Sequence, residues 1–140
     1  MRLTAAGHGP NSNAVHITND VMLAPGRPLH AFDRTKLAQG RIIVRRAAAG
    51  EEVRTLDGEL RKLDPSDLVI ADADRAIALA GIMGGAETEV TDGTTNVLLE
   101  AANFEPFTIF RTAERLRTAT EGQNRWVKGV DPYLAQAAAD

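Results

Sequence analysis

The sequence predicts an α+β fold, a mostly antiparallel sheet or small barrel packed with flanking helices. Short, β-branched apolar runs recur between residues 41 and 101. An Asp57-Gly58 pair separates two of them, which is a strong local signal for a hairpin. After Pro106 the apolar spacing changes to threes, the mark of a helix face. A chain of 140 residues suffices for a single domain with a modest core.

The first dozen residues are turn-rich, with Gly7, Gly9 and Pro10. Val15 and Ile17 alternate like a short strand, and Thr18, Asn19 and Asp20 are capping residues for a helical turn through Met22. Pro25 and Gly26 end that turn. Pro28 opens a second short segment for which Gly40 is the C-terminal stop. Strands are then expected at 41–46, 53–56, 60–63, 68–71, 76–82 and 96–101. Pro106 suits the first turn of a helix whose expected face is Phe107, Phe110, Ala113 and Leu116. Asp131-Pro132 starts a further helix, of which only about two turns are expected before the sequence ends.

Composition narrows the function. With 44% hydrophobic and 25% charged residues the chain is ordinary globular material, not a disordered one. Sixteen basic against nineteen acidic residues give a net charge of -3, which excludes a strongly cationic nucleic-acid module but leaves room for a local basic stripe. The absence of cysteine removes disulfides, thiol nucleophiles and cysteine-rich zinc sites. His8, His16 and His30 form no metal-binding spacing, and Asp57, Asp64, Asp67, Asp72 and Asp74 occupy turns without calcium-loop spacing, so no metal is expected. No apolar run is long enough to span a bilayer, and the N-terminus has no signal-peptide core. A soluble cytoplasmic domain is the expectation.

Three features stand out as candidate chemistry. The glycines of 80–85 (AGIMGG) permit close backbone approach to a ligand, or else a tight turn. Glu100 closes the apolar run Val97-Leu98-Leu99; it either faces solvent, the usual fate of a strand glutamate, or is buried and needs a partner. His30, in PLHAF, reads as a packed structural histidine or as a site residue. The basic stretch Arg111, Arg115, Arg117, Arg125 and Lys128 is interrupted by Glu114 and Glu121, so it is a solvated face or an RNA-backbone contact. Trp126 reads as a packing anchor.

In order and spacing these segments resemble the B3/B4 domain of the bacterial phenylalanyl-tRNA synthetase beta subunit. The matching pieces are Thr18-Asn19 with Val21-Met22, Gly26 with the run from Pro28 through His30 to Asp33, Thr55-Leu56-Asp57-Gly58, and 67–72 (DLVIAD). They continue with 77–85 (IALAGIMGG), 98–104 (LLEAANF), Arg111-Thr112-Ala113, Thr120-Glu121, Arg125 and Gly129-Val130-Asp131-Pro132. The resemblance runs from about residue 10 to 133. Residues 1–9 match poorly and 133–140 correspond to a truncated C-terminal helix, so the chain reads as a single partial B3/B4 domain.

The resemblance implies an editing domain that hydrolyses tyrosine wrongly attached to the phenylalanine tRNA, by a positioned water and without a protein nucleophile. It gives Glu100 the role of reading the tyrosine hydroxyl, with His30 beside it. Ala80, Gly81 and Gly84 become one pocket wall, and Thr120 and Gly122 the other. Arg111, Arg115, Arg125 and Lys128 are the expected RNA contacts. No cofactor is expected in this domain, because the ATP and magnesium of the parent ligase act elsewhere. The implied partners are the mischarged tRNA, the rest of the beta subunit and the alpha subunit, in an alpha2-beta2 heterotetramer. The alternative is a non-catalytic tRNA-docking or subunit-packing module. His16, Asp20, Arg117, Ala119, Gly122, Gln123, Asn124, Val127 and Lys128 depart from the family pattern, mostly in the loop expected to shape the far wall.

Overall fold

The computed structural model describes residues 29–118. In chain order the elements are β1 (His30–Asp33), two 3₁₀ turns (Arg34–Lys36 and Ala38–Gly40), β2 (Ile43–Arg46), β3 (Glu52–Arg54) and β4 (Leu60–Lys62). There follow β5 (Leu68–Ala71), β6 (Ala76–Leu79), β7 (Met83–Gly84), a 3₁₀ turn (Ala86–Thr88), β8 (Val97–Glu100) and helix α1 (Pro106–Leu116). The readings at 15–22 and from Asp131 lie outside the described residues.

The expected α+β class is what the chain adopts, with every strand pair antiparallel. The sheets are open and do not close into a barrel. β2-β5-β6-β7 form one four-stranded sheet, while β1-β8 and β3-β4 are two-stranded ribbons. Among the described residues one core joins them, with Phe32, Val69, Ile70, Leu79 and Ile109 deepest within it.

Several boundaries differ from expectation for identifiable reasons. The segment opened by Pro28 begins as a strand, because Ala31 and Phe32 pair with Leu99 and Leu98. Only then does Asp33, accepting from Thr35 N–H at 3.0 Å, turn the chain into 3₁₀ geometry that closes at Gly40. The expected strand 53–56 stops at Arg54, since fully buried Thr55 leaves the ladder to form an isolated bridge with Gly85. The Asp-Gly hairpin is present with a five-residue loop, in which Gly58 takes φ +85° and Asp57 accepts from Thr55 Oγ1 at 2.6 Å. Strand 76–82 is cut at Leu79 because Gly81, at φ +69°, reverses the chain so that β7 returns alongside β6.

Helix α1 starts where Pro106 predicts it, with the Glu105 carboxylate accepting from Phe107 and Thr108 N–H at 2.8 and 2.7 Å. Its buried face keeps Ala113 and Leu116 of the expected four but takes Ile109 and Thr112 in place of Phe107 and Phe110. Ile109, Thr112 and Ala113 are buried and Leu116 half-buried, an i, i+3, i+4, i+7 stripe, whereas Phe107 and Phe110 are 65% and 44% exposed. The rotation follows from a polar anchor. Asp67, 1% exposed at the start of β5, accepts from Thr112 Oγ1 at 2.8 Å, from Asp64 N–H at 2.8 Å and from the Arg115 guanidinium. Thr112 must therefore face inward, and the phenylalanines, three residues apart on the other side, face out.

Two further carboxylates in turns are similarly occupied. Asp72 accepts from the amides of Ala38, Asp74 and Arg75. Glu51 takes both ends of the Arg45 guanidinium at 2.7 and 2.8 Å and also the amides of Ala48 and Ala76. The Arg45 bond first, and those amides with it, hold the Glu51 carboxyl down at about 2.

Two outcomes test this scaffold. Asp67→Ala strands three donors, one of them cationic, and is expected to lower the unfolding free energy by about 3 kcal/mol in chemical denaturation. Gly85→Ala puts a Cβ inside the van der Waals envelope of the Ile77 carbonyl, backbone of a core strand that cannot give way. It is expected to cost more than the roughly 1 kcal/mol of an average point substitution, and a denaturation midpoint equal to the native one would contradict the close packing of β6 on Gly85.

Candidate functional site

The β1-β8 ribbon sets His30 directly opposite Glu100, with Phe32 opposite Leu98 two residues along. Residues facing each other across an antiparallel pair lie on the same side of it, so His30, Phe32, Leu98 and Glu100 share one face. Leu98 on that face packs against the core, while Val97 and Leu99 on the other are exposed. Glu100 is consequently on the inner, half-buried face and is not a solvent-facing strand glutamate.

The His30 ring is seated by its neighbours. It meets Phe32 edge-on, with ring centroids 4.5 Å apart and an interplanar angle of 78°. Its underside rests on Gly84, where a Cβ would come within 2.5 Å of Cε1 and Nε2. Gly84 is thus a position of close approach, and the glycine string is both a tight turn, at Gly81, and a backbone surface open to a side chain, at Gly84. His30 Nε2 is buried and has no hydrogen-bond partner among the described residues.

Burial dominates the electrostatics of both groups. It lowers the His30 pKa to about 4 and raises that of Glu100 to about 7. Between those values both side chains are neutral, and near pH 7 the carboxyl stands poised between its two forms. Among the described residues no side chain donates to the Glu100 carboxylate. A carboxyl of this kind can accept a proton-bearing hydroxyl, and an imidazole beside it can orient that hydroxyl.

The other expected site residues are placed as follows. Ala80, just after β6, is buried and donates its N–H to Leu68 O at 3.1 Å. Gly81 follows at the turn, and Gly84 lies against His30. Arg115 is engaged within the domain by Asp67, and Arg111 lies over the Phe107 ring at 5.9 Å with its Nη2 3.5 Å from Ser66 O. Thr120, Gly122, Arg125 and Lys128 lie outside the described residues. Phe32, as the aromatic partner of His30, was not singled out from the sequence; its signal was the two-residue strand period that puts it on the same face. A cleft of about 430 Å³ beside Lys36, Asp72 and Arg75 and another of about 250 Å³ beside Glu52, Arg54 and Gly85 include neither His30 nor Glu100. Among the described residues no three or more acidic or histidine side chains gather as metal ligands, and no helix is long and apolar enough to cross a membrane.

The scaffold is an antiparallel α+β domain that sets a histidine opposite a glutamate over a glycine turn. The family model of the B3/4 domain matches residues 1–140, and the chain belongs to that family. Its relatives are phenylalanine–tRNA ligase beta subunits. That of Moorella thermoacetica is 54% identical over 138 residues, covering 99% of this chain and 17% of that protein. Those of Symbiobacterium thermophilum and Nocardia farcinica are each 52% identical over 139 residues, covering 99% of this chain and 16% of theirs. The chain spans about one sixth of the length of the curated relatives it matches.

The opposed shifts of His30 and Glu100 give a test of the site's electrostatics. A histidine held down at about 4 stabilises the fold fully above pH 6.5, and that stability is lost as pH falls towards 4. A glutamate raised to about 7 does the reverse: its contribution is complete below pH 4.5 and lost as pH rises through 7. In the native chain the two slopes oppose each other between 4.5 and 6.5. Glu100→Gln removes only the second. Denaturation midpoints followed against pH are therefore expected to move in favour of E100Q, relative to native, from pH 4.5 to 7, with no further change beyond; a difference that stays flat across that window contradicts the burial of Glu100.

Proposed function

We propose that this domain is the editing module of a phenylalanine–tRNA ligase beta subunit and that it hydrolyses tyrosine mischarged onto the phenylalanine tRNA. The observation that carries the reading is the half-buried Glu100 held across the ladder from His30. The relatives named above support the parent enzyme.

The physical logic begins with the added hydroxyl. A hydrophobic pocket built for phenylalanine rejects tyrosine poorly, about 10²-fold, so a second site is needed that prefers the hydroxyl. Ionised Glu100 supplies a charged acceptor, and a charge-assisted bond from a phenol is stronger than a neutral one. With phenylalanine in place the carboxylate would be desolvated without a donor, which costs on the order of 1–3 kcal/mol or more. His30, neutral through burial, adds a second polar contact near the phenol. Ala80, Gly81 and Gly84 form the wall beside the ring, with Thr120 and Gly122 opposite, and Arg111, Arg115, Arg125 and Lys128 contribute to RNA contact.

The ester itself is already activated. Attack by a water held in place by backbone groups and the substrate's ribose hydroxyls needs no serine or cysteine, and no cofactor in this domain. Synthesis, with its ATP and magnesium, belongs to the alpha subunit of an alpha2-beta2 assembly in the cytoplasm. A second reading, a non-catalytic module that packs against another part of the ligase or docks tRNA, is favoured by the exposed Phe107 and Phe110.

Deacylation of tyrosyl-tRNA by the assembled ligase, native beside Glu100→Ala, separates the two. E100A is expected to lose the preference for tyrosyl over phenylalanyl ester, and in the native enzyme that preference is expected to increase as pH rises from 6 to 8 and Glu100 ionises. Unchanged hydrolysis in E100A supports the packing reading, and a tyrosyl group trapped covalently on the protein overturns attack by water.

A further inference from the structure

We infer that Arg61 is a positioning residue for the same site, one whose guanidinium sets the separation of the two walls between which the esterified amino acid lies; the inference rests on the editing reading above. Arg61 is on β4, and its side chain is 14% exposed. Its three nitrogens reach three acceptors. Nε donates to Thr55 Oγ1 at 3.1 Å, Nη2 to Asp57 Oδ2 at 2.6 Å and Nη1 to Leu116 O at 3.1 Å. A planar guanidinium fixes these directions together, whereas a lysine ammonium is a compact point charge on a flexible stem.

Two of the bonds lock the β3-β4 loop. Thr55 Oγ1 donates in turn to Asp57 Oδ1 at 2.6 Å, so Arg61, Thr55 and Asp57 close a ring of hydrogen bonds. That ring fixes backbone docked on the glycine turn: Thr55 is fully buried and bridges to Gly85, and Leu56 N–H donates to Gly84 O at 3.0 Å. Gly84 is where the His30 imidazole rests. The third bond leads elsewhere. Leu116 is the last residue of α1, and its carbonyl is among those that a helix cannot satisfy from within. A cation there also complements the negative end of the helix dipole. The helix end is itself fixed, with Arg117 at φ +52° and Thr118 N–H donating to Ala113 O at 3.0 Å. Thr120 follows Leu116 by four residues, and the editing reading puts Thr120 and Gly122 on the wall opposite Gly84. One guanidinium therefore bonds both to the loop docked on one wall and to the helix end from which the chain runs to the other. Recognition of a single hydroxyl demands such a strut, because a displacement on the order of 1 Å can cost about 10²-fold.

The test uses the assembled ligase carrying Arg61→Lys or Arg61→Gln, with Glu100→Ala beside them, and follows hydrolysis of tyrosyl-tRNA and phenylalanyl-tRNA separately. R61K keeps the charge and loses the fork; R61Q loses both. Each is expected to raise KM for tyrosyl-tRNA roughly 5–30-fold and to lower the tyrosyl-over-phenylalanyl preference about threefold or more, with kcat within about threefold of native. A residue that merely held the fold would act otherwise: a smaller folded fraction lowers kcat for both esters alike and leaves KM and the preference at their native values. Both quantities are independent of how much enzyme is folded, so they can be read even in a destabilised variant. Native KM and preference in the two Arg61 variants, while E100A still abolishes the preference, overturn the role of Arg61 alone, as does R61K indistinguishable from native. E100A without effect overturns the editing reading and this inference with it.

Discussion

The register of the β1-β8 ribbon governs everything at the site. Four residue pairs, from His30 with Glu100 to Asp33 with Val97, fix which side chains face the core. Because side chains alternate across a strand, a slip of one residue would turn Glu100 to solvent and bring Leu99 inward. Phe32 opposes such a slip: it is wholly buried, and its partner Leu98 packs on the same core. Apolar packing at one pair thereby holds two titratable groups in place at a neighbouring pair.

Around that ribbon the fold uses close backbone contact where a larger fold would use side chains. Gly84 lets the imidazole lie on main chain, and Gly85 lets the turn after β7 approach the carbonyl of Ile77. The bridge from Gly85 to Thr55 then joins the β3-β4 hairpin to the four-stranded sheet, and Arg61 extends the connection to helix α1. Asp67 makes a second connection between α1 and β5, through Thr112 and Arg115. The loop that carries Leu56 is consequently anchored from three directions, which is why a surface leucine has a defined place.

Burying a neutral histidine and a glutamate together costs stability, and the fold tolerates it. The two groups are strained in opposite senses: the histidine resists protonation and the glutamate resists ionisation. Structural carboxylates elsewhere are treated differently. Glu51, Asp57 and Asp72 are surrounded by donors that favour their charged forms. The contrast separates carboxylates whose charged form the fold favours from one whose neutral form burial favours.

Much of the fold could be read along the chain. The strands at 41–46, 60–63, 68–71 and 96–101, the Asp-Gly hairpin and the helix from Pro106 all depend on short-range chemistry: β-branched runs, turn residues and a capped first turn. The presence of an acid after Val97-Leu98-Leu99 was likewise visible. Its direction was not, because Leu98 and Leu99 are equally apolar and either could have faced the core; only pairing with β1 decided between them. The helix face is rotated from Phe107 and Phe110 towards Ile109 and Thr112 for a related reason. Phe107 and Phe110 outweigh Ile109 in hydrophobic bulk, yet a buried carboxylate 45 residues away, at Asp67, selects the Thr112 side. The partnership of Leu56, Gly84 and His30 joins three separate stretches of chain, and no local pattern encodes a contact of that kind. Local sequence chose the elements and their limits to within a few residues. Long-range packing chose which faces meet, since the free energy separating one face from another arises only when the elements come together.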